Sequence, residues 1–414
     1  MTINVYPPLG SSIDNALTIK YGGAQLDSFG KLRVSEPYTL FDSTNRFAKD
    51  SQFSESTAGG ATITYTGSQA AVNLNVTTAS GDSAVRQSYR VMPYQPGKGL
   101  TVMATFVMAT ATTNLRQRVG YFNADNGIFF QLDNTTKSFV IRSSVSGSPS
   151  DSNSATQSSW NGDKLDGTGP SGLTLDLTKS QIFWTDMEWL GVGNVRCGFI
   201  INGQYIVCHT FQNANINNTV YMSTAVLPVR YEITTTGIIG GAATLKQICS
   251  TVISDGGYQQ ISQPHIARMD NALTNIGTSF LPLISIRLAS TGYGAVVVPS
   301  SVTVFPTSAD DFEFVLIKNP TLTGTPSWNA VPSDSTVEFD VAATGYTGGT
   351  IVTQGYAAAT NQGVGPVSDV LSYNWDLQLG VSLTPASDIY TLAMRVFTGT
   401  GDAIGSISYW NLTV

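Results

Sequence analysis

This sequence of 414 residues contains little charge and very few cysteines and histidines. Charged residues make up 12% of the chain, roughly half of the ~25% usual in soluble proteins, and the net charge is −7. Lysines and arginines are scattered and form no basic patch, so nothing in the sequence indicates a nucleic-acid partner. The polarity comes instead from Ser, Thr, Asn, Gln and 40 Gly, a mixture that suits short strands joined by tight turns.

Long apolar runs and recognisable targeting or cofactor motifs are also missing. No run reaches the ~18 residues of a membrane-spanning helix, so we expect no membrane insertion. The first residues, MTINVYPPLGSS, lack the basic and apolar regions of a signal peptide, so we expect synthesis in a cytoplasm. No His/Cys cluster has metal-ligand spacing, and no phosphate loop, dinucleotide fingerprint or nucleophile elbow is present. The sequence therefore predicts neither a metal nor a cofactor.

The clearest structural signal is a β-hairpin at Asn202-Gly203. Asn-Gly between two runs rich in β-branched and aromatic residues favours a type I′ turn, because both residues tolerate positive φ. Counting outward from this turn places Cys197 opposite Cys208. Their Cα atoms would lie about 5.5 Å apart as a hydrogen-bonded pair, a poor geometry for a disulfide. We therefore expect reduced thiols.

Strand signals recur about every 8–12 residues with almost no helical pattern, which is typical of a sandwich or barrel. The sequence predicts an all-β protein: a jelly-roll or concanavalin-like β-sandwich over residues 51–275 and a second, smaller β-sandwich over 276–414. Residues 1–50 are broken by Pro and Gly into short pieces, which predicts an extended N-terminal arm.

The predicted arm carries apolar residues without a helical period. An arm of this kind either packs on its own body or docks on a neighbouring subunit, and the sequence leaves both open. The candidate assembly contacts are Leu32, Val34, Tyr38, Leu40 and Phe41.

Two features could carry enzymatic chemistry on a glycan. Asp186 and Glu188 alternate along a predicted strand, as catalytic acids do in some jelly-roll glycoside hydrolases, but the first acid of the Glu-x-Asp-x-Glu pattern is missing. His209 should lie opposite Arg196 and near Glu188 and Arg230, groups that a polysaccharide lyase could use. A polar strand face and a structural histidine account for the same residues, so the sequence favours a protein that is not an enzyme.

A polar loop over residues 146–172 could instead bind a glycan. Trp160 stands within it beside Asp163 and Asp166, and exposed aromatic rings stack on sugars. The loop lacks the alternating acids of an EF-hand, so a rigid turn is favoured over calcium. The candidate glycan or partner contacts are Trp160, Asp163, Asp166, Glu188, His209 and Arg230.

Six segments, in this order, resemble a family of virion structural proteins of tailed bacteriophages that is common in phages of marine and freshwater bacteria. They are FGKLRVSEPYTLFDSTNRF (29–47), YQPGKG (94–99), SSWNGDKLDGTGPSGLTLDLTKSQIF (158–183), EWLGVGNVRCGFIINGQ (188–204), LPVRYEI (227–233) and KQICSTVISDGGY (246–258).

The resemblance implies a component of the tail, baseplate, fibre or capsid surface that assembles with other virion proteins. We expect a homo-oligomer, with a trimer favoured, located in the virion after synthesis in the host cytoplasm. The family offers no catalytic residues to carry over. A glycan-binding module for host attachment is the alternative hypothesis, and a glycan-cleaving enzyme is a further one.

Overall fold

The computed structural model describes residues 2–5, 17–20, 36–259, 261–308, 310–331, 335–358, 367–371 and 375–412. Every strand pairing among them is antiparallel. The predicted all-β class is confirmed. Within the described ranges, no helix is long and apolar enough to cross a membrane. The helical segments described are single 3-10 turns at Gly67–Gln69, Gln157–Ser159, Ser290–Gly292 and Trp375–Leu377.

Two short strands near the N-terminus pair as a hairpin, and the strands that follow build a large sandwich. The hairpin strands are β1 (Thr2–Val5) and β2 (Leu17–Lys20). The sandwich strands are β3 (Tyr38–Thr44), β4 (Phe53–Ala58), β5 (Thr62–Thr66), β6 (Ala71–Val76), β7 (Ser83–Ser88), β8 (Met92–Pro93), β9 (Leu100–Val107), β10 (Leu115–Phe122), β11 (Gly127–Asp133), β12 (Thr136–Ser143), β13 (Ser150–Thr156), β14 (Gln181–Met187), β15 (Val195–Ile201), β16 (Gln204–Phe211), β17 (Val226–Leu227), β18 (Val229–Thr235) and β19 (Ala243–Ser254).

The remaining strands build a second, smaller sandwich. They are β20 (Gln263–Arg268), β21 (Leu273–Ile276), β22 (Leu281–Leu288), β23 (Val297–Pro306), β24 (Asp311–Lys318), β25 (Thr321–Gly324), β26 (Asn329–Ala330), β27 (Val337–Asp340), β28 (Ala343–Thr347), β29 (Thr350–Ala358), β30 (Val367–Val370), β31 (Ile389–Val396) and β32 (Gly401–Asn411).

Each sandwich consists of two main sheets. In the large one, a seven-stranded sheet has the order β13-β12-β11-β10-β18-β7-β4, and it faces an eight-stranded sheet β16-β15-β14-β9-β19-β6-β5 in which β3 also pairs with β19. The second sandwich pairs a five-stranded sheet, β20-β32-β23-β30 with β21 on β32, against a six-stranded sheet, β26-β27-β22-β31-β24-β29. Strands adjacent in a sheet are often distant in sequence, as β10 and β18 are, which is characteristic of jelly-roll connections.

An aromatic cluster fills the space between the sheets of the large sandwich. Alternating residues of the strands point inward, so Phe130 and Phe139 of one sheet meet Phe183 and Phe199 of the other. The ring centroids of these four side chains lie 5.2–6.3 Å apart, the spacing at which aromatic pairs attract one another. All four are fully buried, and a separate apolar core forms between the sheets of the second sandwich.

The predicted domain boundaries need two corrections. β3 begins at Tyr38 and pairs along β19, and Leu40 and Phe41 are buried in the core of the large sandwich. The assembly contact predicted for Leu40 and Phe41 is therefore wrong, because the sheet of their own chain already covers them. Tyr38 remains partly exposed and faces Tyr258, whereas Leu32 and Val34 lie outside the described residues.

The second correction concerns the start of the C-terminal sandwich, predicted at residue 276. Both β20 and β21 pair with β32, the last strand of the chain, so this sandwich begins near residue 263. Edge strands recruited from a connecting segment leave little signal in a sequence, because their partner lies more than 100 residues away.

The hairpin is confirmed near its turn and differs farther out. Asn202 has φ 52° and Gly203 has φ 76°, as a type I′ turn requires. After Val207 the register shifts by one residue, so that Cys197 faces His209 and not Cys208. The predicted pairing of Cys197 with Cys208, and that of Arg196 with His209, is wrong because β16 contains a β-bulge.

The expectation of free thiols is nevertheless confirmed. Cys197 and Cys208 are buried and unbonded to each other. Burial raises the pKa of the Cys197 thiol to about 12 and also raises the pKa of Cys208. Both therefore stay protonated and unreactive in the folded protein.

The two sandwiches meet along a hydrogen-bonded junction. The main-chain N–H of Val381 donates to the Tyr89 carbonyl (3.0 Å), and the N–H of Leu383 donates to the Ser54 hydroxyl (3.0 Å). Arg90 forms an ion pair with Asp376 at 3.0 Å across the same junction. Main-chain bonds of this kind resist sliding, so the two sandwiches hold a defined relative position.

The turn at 202–203 generates a stability prediction. No heavy atom lies within 4 Å of a Cβ built on Gly203, so Gly203→Val meets only backbone strain there, about 1–2 kcal/mol for positive φ and more for a β-branched side chain. We expect a lower melting temperature and a reduced soluble yield. Asn202→Asp is the matched control, because Asp tolerates this conformation, and its melting temperature should change far less. Equal melting temperatures for both variants would contradict the type I′ turn.

Candidate ligand-binding cleft

Trp160 is a core residue and not an exposed sugar platform. Its ring stacks on Phe139 with centroids 4.5 Å apart and an interplanar angle of 25°. Its indole N–H donates to the Ala155 carbonyl (3.1 Å), and only 2% of the residue is exposed. The predicted glycan contact of Trp160 is therefore wrong, because a polar stretch of sequence still places its one large aromatic residue on the core.

Asp163 and Asp166 shape the loop that follows Trp160. The Asp163 carboxylate accepts hydrogen bonds from the N–H groups of Leu165 (2.9 Å) and Ser171 (2.7 Å). Burial would raise the pKa of Asp163, but these bonds outweigh it and hold the pKa below its ordinary value. Asp166 accepts from the hydroxyl and the N–H of Thr168, which lowers its pKa as well. Both acids therefore serve the rigid turn that the sequence favoured over a calcium site.

Arg230 lies on the outer face of the seven-stranded sheet, away from the other predicted contacts. Its guanidinium donates to Glu232 (2.7 Å) and Gln87 (3.0 Å) and lies 5.4 Å from the centroid of the Phe122 ring. His209 belongs to the eight-stranded sheet. The expected grouping of Arg230 with His209 is thus not formed, because the two residues occupy opposite sheets.

The proposed pair of catalytic acids is also separated. Asp186 forms a bidentate ion pair with Arg196, whose Nε lies 2.8 Å from Asp186 Oδ1. Glu188 follows the end of β14, where its N–H donates to the Asn194 carbonyl (3.1 Å) and its side chain is exposed. Asp186 is therefore neutralised by an arginine, and Glu188 does not share its strand.

His209 lies in a polar cleft at one edge of the large sandwich. The cleft has a volume of about 520 Å³ and opens between β13 and β16, the edge strands of the two sheets. Amide side chains dominate its walls. The lining residues are Asn153, Asn161, His209, Thr210, Phe211, Gln212, Asn213, Ile216 and Asn217.

The wall of this cleft is built by residues 161–163, which lie against β16. The Asn161 side chain accepts from the Thr210 N–H (2.8 Å) and donates to the Thr210 carbonyl (2.9 Å). The N–H groups of Gly162 and Asp163 donate to the carbonyls of Cys208 and Val207. This segment therefore continues the sheet beyond β16 and closes an edge strand that would otherwise be open.

The imidazole of His209 is held in one tautomer. The Asn161 N–H donates to Nδ1 at 3.3 Å, so the ring proton resides on Nε2. Burial lowers the pKa of His209 below its ordinary 6.5, which keeps the ring neutral at pH 7. The free Nε2–H is a hydrogen-bond donor for a ligand in the cleft.

The remaining lining groups suit a neutral, hydroxyl-rich ligand. Asn153, Gln212 and Asn217 are exposed amides that both donate and accept hydrogen bonds, and Ile216 is 72% exposed and offers an apolar contact. Among the described residues that line the cleft, none is Asp, Glu, Lys or Arg. The arrangement can bind hydroxyl groups, but its lining holds no carboxylate pair for glycoside hydrolysis.

Sequence reasoning found His209 and missed the amides around it. Their signal was the run QNANINN over residues 212–218, directly after the hairpin. Asn213 within this run is buried and donates to the Gly193 carbonyl (2.8 Å), so it anchors the loop. Gln212 and Asn217 remain available to solvent.

Comparisons with known proteins reveal distant structural likeness alone. No family model matches the chain, and no curated protein matches it. Similar solved structures include the carbohydrate recognition domain of Emp47p, at 10% identity and a TM-score of 0.34, covering 58% of this chain and 100% of that one. A β-glucanase of Bacillus licheniformis has 10% identity and a TM-score of 0.34, covering 55% of this chain and 100% of its own.

A third similar structure is the CBM2 module of the evolved Dit of Lactobacillus casei BL23 phage J-1. It has 6% identity and a TM-score of 0.36, covering 55% of this chain and 100% of the module. At such values the chemistry of the cleft has to be judged from its own side chains.

The depressed pKa of His209 predicts a pH dependence of stability. In the unfolded chain this histidine binds a proton near pH 6.5, whereas in the folded protein it does so only at lower pH. Neutral His209 therefore makes its full contribution to the free energy of unfolding above pH 6.5, and that contribution is lost as the pH falls toward the folded pKa. His209→Asn keeps an acceptor for the Asn161 N–H but cannot titrate. As the pH is lowered from 8 to 5.5, the melting temperature of this variant should therefore increase relative to that of the unaltered protein. A constant difference over this range would contradict a neutral, half-buried His209.

Proposed function

We propose that this protein is a structural component of a tailed-bacteriophage virion, and that it acts by assembling with other virion proteins. The observation that carries the proposal is that the segments resembling phage virion proteins build the scaffold of the large sandwich. The contacts between these segments support a structural role, in which the protein acts through the shape of its large sandwich.

The segments YQPGKG and KQICSTVISDGGY meet although about 150 residues separate them. The Asp255 N–H donates to the Gly99 carbonyl (2.9 Å) and joins the two segments directly. The residues just beyond them add to this contact: the Gln95 side chain donates to the Gln259 carbonyl (2.7 Å) and accepts from the Gln259 N–H (3.0 Å), and the Thr101 hydroxyl donates to the Asp255 carboxylate (2.7 Å). Both segments thus form one reinforced corner of the sandwich.

The first segment is joined to the last in the same way. β3 pairs with β19 from Thr44–Cys249 to Tyr38–Ser254. The Asn45 amide then donates to the Ile248 carbonyl (3.0 Å). The segment 158–183 supplies Trp160 to the core and residues 161–163 to the edge of β16. The resemblance therefore covers the residues that determine the fold of the sandwich.

An apolar outer face on the eight-stranded sheet supports assembly. Trp184 lies on this face between Tyr205, with ring centroids 5.4 Å apart, and the Arg196 guanidinium. Tyr205 is 56% exposed, and Ile182 and Ile200 flank it half-buried. Contiguous apolar patches on soluble proteins frequently mark interaction sites. We assign this face to the contact between copies of this chain in the predicted homo-oligomer.

Truncation of the N-terminal segment tests the assembly role. A chain lacking residues 1–35 keeps β3 and should fold, but it should no longer enter the particle if the segment docks on a partner. The measurement is mass spectrometry of purified particles formed when tagged full-length or truncated chain is supplied.

A chain lacking residues 1–44 is the matched control. It loses Leu40 and Phe41 from the core and should misfold. Equal incorporation of the 1–35 truncation would exclude the segment as the contact, and a full-length chain missing from particles would refute the virion role.

Recognition of a neutral glycan is a second candidate function, favoured by the uncharged, amide-lined cleft around His209. Neighbouring asparagines provide a matched test, because Asn217 lines the cleft and Asn218 does not. On an array of bacterial surface glycans, Asn217→Ala should weaken binding of a neutral glycan about tenfold, the cost of roughly 1.4 kcal/mol of lost hydrogen bonding. Asn218→Ala should bind as the unaltered protein does. Identical binding by both variants would remove the cleft as the glycan site.

A further inference from the structure

We propose that the C-terminal sandwich carries a second, elongated saccharide-binding groove on the outer face of its five-stranded sheet. The floor of this groove is β32, the central strand of that sheet. The proposal concerns a different domain and different residues from the cleft around His209.

Along β32, alternate residues point away from the core and toward solvent. Ala403, Ile407 and Tyr409 are fully buried on the inner face. The residues between them are therefore on the outer face, and their exposure is intermediate. From one end to the other these outward residues are Ile404, Ser406, Ser408 and Trp410. The seven residues from Ile404 to Trp410 span about 20 Å of extended strand, which is long enough for several sugar rings.

The adjoining edge strand β20 supplies the side wall. Ile266 lies opposite Ser408, and Arg268 lies opposite Ser406. The Arg268 side chain is 72% exposed and forms a loose ion pair with Asp270, with 3.6 Å between Nε and Oδ1. Ile266 is half-exposed. An apolar side chain and a charged pair thus stand beside a row of hydroxyl groups.

Two adjoining cavities follow this row. One has a volume of about 970 Å³; it includes Trp410, Ser408 and residues of β20, and it extends around this edge strand to Ala330 and Phe339 of the opposite sheet. The other has a volume of about 430 Å³ and continues past Ser406 to Ile404. Both are lined by Ile266, Arg268 and Asp270, so they form one continuous depression. Each volume falls within the range typical of ligand-binding sites.

The polar groups of the groove have unused hydrogen-bonding capacity. Within the described part of the chain, the hydroxyls of Ser406 and Ser408 make no side-chain hydrogen bond. The side chain of His265 pairs with Tyr409 and stacks on it with centroids 5.6 Å apart, so it lies on the inner side of the sheet and outside the groove. The hydroxyls of Ser406 and Ser408 are therefore the groups that can exchange hydrogen bonds with a ligand.

The chemistry of the groove matches a neutral oligosaccharide. A sugar ring presents an apolar C–H face and a rim of hydroxyl groups, so it needs flat apolar surface and many donors and acceptors. Trp410 and Ile266 provide the surface, while Ser406, Ser408 and the pair Arg268–Asp270 provide the hydrogen bonds. Because the two charges of the pair cancel, the groove has no preference for an anionic ligand.

Calorimetric titration of the full chain tests the proposal. The probes are neutral hexasaccharides of glucose, galactose and N-acetylglucosamine, with a hexasaccharide of galacturonic acid as the acidic comparison. We expect the intact protein to bind at least one neutral probe more tightly than the acidic one. Arg268→Ala, at an exposed position that leaves the core intact, and Trp410→Ala should each raise the Kd about tenfold or more.

Two control variants show whether a loss of binding is specific to this groove. Arg287→Ala removes an arginine of the opposite sheet, one that packs on Trp328 at 4.0 Å, and should leave the Kd unchanged. Asn218→Ala, an exposed asparagine of the first sandwich that lines neither site, should also leave the Kd unchanged. Failure of the intact chain to bind any neutral probe would overturn the proposal. So would a Kd that Arg268→Ala and Trp410→Ala do not alter.

Discussion

The stacking of Trp160 on Phe139 connects the aromatic core of the large sandwich to the cleft around His209. The ring is held between the sheets, and the chain that leaves it, residues 161–163, is thereby laid along β16. That placement closes the sheet edge, orients His209 through the Asn161 N–H, and forms one wall of the cleft. An aromatic residue predicted to touch a ligand instead positions the residues that line the cleft.

The scarcity of charge in this chain makes the location of its arginines informative. Arg118 and Arg142 lie over the Phe129 ring, each 5.3 Å from its centroid, on the outer face of the seven-stranded sheet. Glu232 and Asp151 neutralise them there. Burial lowers the pKa of Arg118 to about 10, which still leaves it protonated at pH 7. Guanidinium groups thus cover aromatic rings that would otherwise meet water, a role that requires no external ligand.

The junction between the sandwiches holds the His209 cleft and the groove along β32 at a defined relative position. Main-chain hydrogen bonds from Val381 and Leu383 tie the second sandwich to Tyr89 and Ser54 of the first. The cleft and the groove then keep a set separation on one chain. In an assembled homo-oligomer, each would be repeated on every copy. Under the two proposed binding functions, weak saccharide contacts repeated on every copy would combine into strong attachment without any single tight site.

The sequence by itself determined those features that depend on neighbouring residues. Asn202-Gly203 specified its turn, because positive φ is a local property, and the alternating strands between Gly-rich turns specified an all-β chain. Tertiary structure decided the bulge at Cys208, the burial of Trp160, and the membership of β3 and β20 in their sheets. Each of these depends on which distant strand lies alongside and on which surface is left for it to cover, and no local pattern contains that information.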